Sequence, residues 1–92
     1  MKVVYVPIKG NPFPCEIDET LEMFQALVEG PFNYEPVTPN MALVYNDDQW
    51  TQPDNFTYKG QKVRGPAFFV GLNGRHWGDC PQTKEEILND IV

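Results

Sequence analysis

Ninety-two residues, 41% of them hydrophobic and including two Trp, four Tyr and six Phe, can form one small hydrophobic core and are far too apolar for a disordered segment. A formal net charge of −6, from 13 acids against seven Lys and Arg, argues against a nucleic-acid or membrane-surface binder, because that field repels phosphates. No apolar run approaches the roughly 18 residues of a membrane-spanning helix, so the expectation is a single domain over residues 1–92, with no membrane partner.

Met1 to Pro7 reads as the opening of a strand. It lacks the longer apolar core and small-residue cleavage site of a signal peptide, which predicts a cytoplasmic protein. Val3 and Tyr5 alternate with Val4 and Val6, so this first strand is apolar on both faces and central. A turn through Gly10-Asn11-Pro12 and Pro14 leads to a short second strand at about Cys15 to Ile17. A helix is predicted from about Glu19 to Glu29, capped by Asp18 or Thr20, with Leu21, Phe24, Leu27 and Val28 on one face. Gly30-Pro31 stops it.

Phe32 to Glu35 predicts a third strand, which Pro36 confines to an edge. Met41 to Tyr45 forms a fourth, apolar on both faces. Residues 49–64 carry no clear pattern, although Lys59-Gly60 suits a hairpin tip. Ala67 to Leu72 is the most strand-like run in the chain. Asn73-Gly74 then signals a hairpin, with Arg75 to Trp77 returning. Thr83 and Glu86 form a capping box before a short helix whose apolar face is Ile87, Leu88, Ile91 and Val92. The expected fold is α+β: one small mixed or mainly antiparallel sheet, with one longer helix and a short C-terminal helix packed on it.

Charge divides the chain into blocks. From Gly10 to Tyr58 there are nine acids and no Lys or Arg; from Lys59 to Gly78 there are four cations and no acid. An unbalanced acidic stretch favours cationic partners. Its candidate contact residues are Glu16, Asp18, Glu19, Glu22, Glu29, Glu35, Asp47 and Asp48. A second candidate site joins cations to aromatic rings: Tyr58, Lys59, Lys62, Arg64, Arg75 and Trp77. Such a set can hold a nucleotide by phosphate pairing and base stacking.

Catalytic chemistry finds little purchase. His76-Trp77-Gly78-Asp79-Cys80 has one His and one Cys, whereas structural zinc needs four ligands at characteristic spacing. Asp47-Asp48 and Glu85-Glu86 read as solvated turn and first-turn acids. No nucleophile–base pair can be named, so the chain is read as a non-enzyme with no catalytic residue, metal ligand or cofactor. Cys15 and Cys80 read as free thiols, with a bridge left open.

Ile17-Asp18-Glu19-Thr20-Leu21, Val28-Glu29-Gly30, Ala42-Leu43-Val44-Tyr45-Asn46-Asp47-Asp48 and Gly65-Pro66-Ala67-Phe68-Phe69-Val70-Gly71 together carry a resemblance. The chain resembles a family of short, functionally uncharacterised proteins common in bacteriophages and other mobile elements of bacteria. That resemblance implies a small accessory protein acting in a bacterial cytoplasm. With the charge layout, it leads to the expectation of a non-enzymatic protein that binds a host protein, such as a defence nuclease or other nucleic-acid-binding factor, through its acidic surface. The alternative expectation is a sponge that sequesters a nucleotide signal at the cation–aromatic segment. Direct nucleic-acid binding is not expected, and a homodimer stays open.

Overall fold

The computed structural model describes residues 1–91. Val92, expected on the apolar face of the last helix, lies outside the described residues. The strands are β1 (Lys2–Val6), β2 (Phe13–Glu16), β3 (Phe32–Thr38), β4 (Met41–Asn46), β5 (Asp54–Tyr58), β6 (Gln61–Arg64), β7 (Ala67–Asn73) and β8 (His76–Gly78). The helices are α1 (Leu21–Val28) and α2 (Lys84–Leu88), with a 3₁₀ turn at Gln49–Thr51. Among the described residues, eight strands against helices of eight and five residues make the fold mainly β, which corrects the α+β expectation.

Two further points of that expectation change with it. There are two antiparallel sheets rather than one: a larger sheet ordered β2-β1-β7-β4-β3 and a separate β5-β6 hairpin. α1 is also shorter than expected. Thr20 caps it, its Oγ1 accepting the Met23 N–H at 3.1 Å, and Glu29 ends it in the left-handed region at φ 63°. Only Phe24 and Val28 of its apolar face are buried; Leu27 is half-buried, and Leu21 is 64% exposed.

The central strands β7 and β4 bury both faces, as their unbroken apolar runs require. On one face Val3, Ala42, Val44, Phe68 and Val70 meet Phe24 and Val28 of α1. On the other, Val4, Val6, Met41, Leu43, Ala67 and Phe69 meet Phe56, Tyr58 and Val63 of the hairpin and Ile87 of α2. Each large side chain buried in this way is worth about 1.5–3 kcal/mol. The segment with no clear sequence pattern is thus the cover of the second face. Its tip is Lys59-Gly60, both at positive φ (46° and 84°), the geometry a two-residue hairpin loop needs.

β8 lies in line with β1 on the same side of β7. The Lys2 N–H donates to Asp79 Oδ1 at 2.8 Å, and the Cys80 N–H donates to Lys2 O at 2.8 Å. Both outer strands are blunted against strand addition. β2 has four residues and contains Pro14. On β3 the Tyr34 N–H is taken by Asn33 Oδ1 at 2.8 Å, Pro36 has no N–H, and the register slips between Pro36 and Thr38. No helix among the described residues is long and apolar enough to cross a membrane.

Candidate functional site

The acidic residues do not gather on one patch. Glu16, at the end of β2, is paired with the N-terminal ammonium at 3.2 Å. Asp18, Glu19 and Glu22 surround the start of α1, all exposed. Glu29 lies at its other end, as does the exposed Asp47, whose N–H donates to Pro31 O at 2.8 Å, with Asp48 next to it. Glu35, on β3, accepts a hydrogen bond from Gln61 Nε2 of the hairpin. Among the described residues, ion pairs join Asp54, Asp90, Glu85 and Glu16 to cations, and none involves Asp18, Glu19 or Glu22.

Beside those three acids the surface turns apolar. Phe24 is the hub of an aromatic cluster, its ring edge-to-face with Phe32 (5.3 Å), Phe68 (5.0 Å) and Trp77 (5.3 Å). Trp77 in turn meets Tyr34 at 5.0 Å. Each such pair adds about 0.5–1.5 kcal/mol to plain burial. The short α1 leaves a groove in this face of about 190 Å³, lined by Glu19, Thr20, Leu21, Phe24, Phe32 and Trp77. Leu21 and Tyr34, 64% and 44% exposed, extend its apolar surface. The groove therefore offers largely apolar walls with the Glu19 carboxylate among them, and Asp18 and Glu22 are close by in the chain, a setting for a cation carried on an apolar stem or ring.

The six residues of the cation–aromatic expectation divide between two places: Tyr58, Lys59, Lys62 and Arg64 are on the β5-β6 hairpin, and Arg75 and Trp77 are at the β7-β8 turn. Tyr58 is buried against Phe69 at 4.8 Å, and Trp77 belongs to the α1-side cluster. Lys59 pairs with Asp90 at 3.9 Å. Arg75 occupies the β7-β8 turn, beyond the far end of β7 from Arg64. Two pairs of the set come together: Lys59 Nζ lies 5.6 Å from the centre of the Tyr58 ring, and Lys62 and Arg64 sit on either oxygen of Asp54 at 3.4 and 3.2 Å.

A residue outside both expected sets stands next to that pair. Trp50, on the 3₁₀ turn, is 91% exposed, and with Gln49, Lys62 and Arg64 it lines an open hollow of about 330 Å³. Its platform is fixed by side-chain amides. Gln49 Nε2 donates to Asn46 O (2.8 Å) and Arg64 O (2.9 Å), while its Oε1 accepts the Arg64 N–H (2.8 Å). Buried Asn46 donates to Val28 O at 2.9 Å and accepts from the Asp48 N–H at 2.8 Å. Asn55 Nδ2 ties Val6 O and Gly65 O at 3.1 and 2.9 Å. Gly65, at φ +78°, leaves the space the Gln52 side chain needs; a Cβ there would fall 2.6 Å from Gln52 Oε1. Nothing in the sequence marks a Trp as exposed, although its neighbourhood of Asn, Asp and Gln is a signal of turn chemistry.

No family model, curated protein or solved structure matches the chain.

Both cysteines are free and half-buried. Burial pushes the Cys15 and Cys80 thiols above their usual range; Glu16 adds to it at Cys15, while at Cys80 the Gln82 backbone contact opposes it and Glu86 adds to it. The Cys80 thiol is held at 3.5 Å from Gln82 O and 3.7 Å from Met41 Sδ. No group of three His, Cys, Asp or Glu among the described residues could hold a metal ion.

Proposed function

We propose that the protein is a non-catalytic accessory protein that binds a partner protein through the groove beside α1, using Asp18, Glu19 and Glu22 as its anionic rim. One observation carries this reading: an apolar groove of about 190 Å³ opens next to carboxylates that no Lys or Arg among the described residues engages. A partner that places an apolar or aromatic side chain in the groove, with Lys or Arg around it, satisfies both features. In the phage-type setting implied by the resemblance, the partner is a host protein with a cationic working surface, such as a nuclease. The acids at the far end of α1 extend the negative field and speed encounter rather than anchoring the complex.

The test is affinity capture from the host with three forms of the chain: unchanged, Leu21→Glu, and Asp18, Glu19 and Glu22 all changed to Lys. Capture of one stoichiometric protein by the unchanged form, lost with both variants while their thermal melts stay cooperative, supports the reading. Equal capture by all three sinks it.

A further inference from the structure

The chain carries on its own surface a group of the kind this groove would take. Trp50 projects as a knob with 91% of its surface exposed, and Lys62 and Arg64 stand beside it around one hollow. The groove offers Phe24, Phe32 and Trp77 as walls and Glu19 at the rim. An apolar cavity of roughly 150 Å³ holds a benzene ring, so the groove, at about 190 Å³, has room for an aromatic ring. The signs are opposite: Lys62 and Arg64, which together share the single carboxylate of Asp54 and so keep a net positive charge, flank the knob, and Glu19 stands at the groove.

Within one copy the two do not meet, because the groove lies on the α1 face and the knob is clamped to the hairpin side by Gln49. We infer that the protein self-associates head to tail, Trp50 of one copy entering the α1 groove of the next with Lys62 and Arg64 facing Glu19 and Glu22. This inference rests on the reading of the groove given above. Such a contact is heterologous: it joins two different patches, so copies add in series instead of closing into a twofold dimer. The blunted edges of β2 and β3 leave this route rather than strand addition.

The contact is small. One indole and its rim bury far less than the roughly 1,200 Å² of a stable interface, and the net charge of −6 opposes approach. The assembly is therefore weak, in fast exchange, and present only at high protein concentration. It also has a functional meaning: a second copy and a partner protein compete for one groove, so dilution or a tighter partner frees it.

Sedimentation velocity over a wide concentration range tests this. The wild type should show a sedimentation coefficient that rises with concentration. Trp50→Ala, which keeps the groove, and Leu21→Glu, which keeps the knob, should each remain monomeric alone. Mixed, they should form a species no larger than a dimer, since one knob and one groove survive. Lys62→Glu with Arg64→Glu should weaken association, and adding Glu19→Lys with Glu22→Lys should restore it. A wild type that stays monomeric throughout overturns the inference, as does Trp50→Ala associating as the wild type does. A separate titration keeps that failure distinct from failure of the groove itself. The capped peptide Arg-Trp-Lys is added to isotope-labelled Trp50→Ala protein, and the Trp77 indole N–H resonance is followed. A shift in that resonance beside a monomeric wild type removes self-association alone; no shift removes the groove reading as well.

Discussion

The two tryptophans occupy opposite physical regimes. Trp77 lies against Phe24 and Tyr34 at 5.3 and 5.0 Å, in a cluster of rings that covers the face α1 is too short to close. Trp50 stands 91% exposed on a platform made almost entirely of amide hydrogen bonds. The first region is fixed by apolar packing, which is non-directional and roughly proportional to buried area. The second is fixed by directional bonds, each of modest net worth and costly when one partner is removed. A small fold can thus hold one aromatic ring as structure and present another as a contact, provided different forces fix the two sites.

The largest expected effect breaks the first region. Phe24→Ala removes the hub of three ring contacts and leaves a cavity in a buried site, so it should cost about 3–5 kcal/mol. Urea unfolding would check it; a loss below about 1 kcal/mol would mean that α1 is not held through this ring. The second region should yield to a polar change. Gln49→Ala leaves the Arg64 N–H and two carbonyls without their partner, at a cost of about 1–3 kcal/mol. Amide exchange should speed up at Arg64 while Phe68 and Phe69 keep their protection. Uniform loosening of both regions would show that the platform is part of the core.

How far each region is legible in the sequence follows from its forces. β4 and β7 can be read because strands buried on both faces leave unbroken apolar runs, and the Thr83–Glu86 capping box because it is local. The spacing overstates α1: Leu21 and Leu27 keep helical period with Phe24 and Val28, but a helix capped at Thr20 and ended at Glu29 turns only the latter two fully inward. The β5-β6 hairpin escapes the pattern because its buried side is only Phe56, Tyr58 and Val63 among polar neighbours. The amide platform leaves no trace, since Asn55 bonds a carbonyl 49 residues away and Gln49 one 15 residues away. The acidic stretch is plain as a charge imbalance, but linear clustering does not say which acids share a surface.

A smaller effect, with the opposite sign, comes from the hairpin face. The Tyr58 hydroxyl is buried with no hydrogen-bond partner among the described residues, so Tyr58→Phe should stabilise the fold by about 1 kcal/mol. The pH dependence sharpens this. Burial, then the Asp90 and Cys80 charges, hold the Tyr58 proton on above its usual range. The folded state keeps that proton at a pH where the unfolded chain has lost it. The contribution of Tyr58 to stability is therefore full below about pH 10 and falls as pH rises above it. Tyr5 and Tyr45 are raised likewise, chiefly by burial, but they are common to both proteins and cancel in the comparison. The advantage of the Tyr58→Phe variant should then widen above about pH 10 in paired urea melts. A constant difference across that range would show that Tyr58 does not titrate with unfolding.

The smallest expected effect is the one that separates the two tryptophans most cleanly. Trp50→Ala removes a ring that its own chain leaves in water, so the folded and unfolded states lose nearly the same hydration, and stability should change by no more than about 0.5 kcal/mol. The turn itself survives, because Gln49, not Trp50, makes the bonds to Arg64 and Asn46. Trp50 fluorescence in the wild type should be that of a solvated indole, quenched readily by iodide, while Trp77 resists. Suppose instead that Trp50→Ala lost as much as Gln49→Ala, and that iodide failed to reach the ring in dilute solution. The indole would then be packed against its own chain in solution. It would belong to the fold as Trp77 does, and it would no longer be free to enter another molecule.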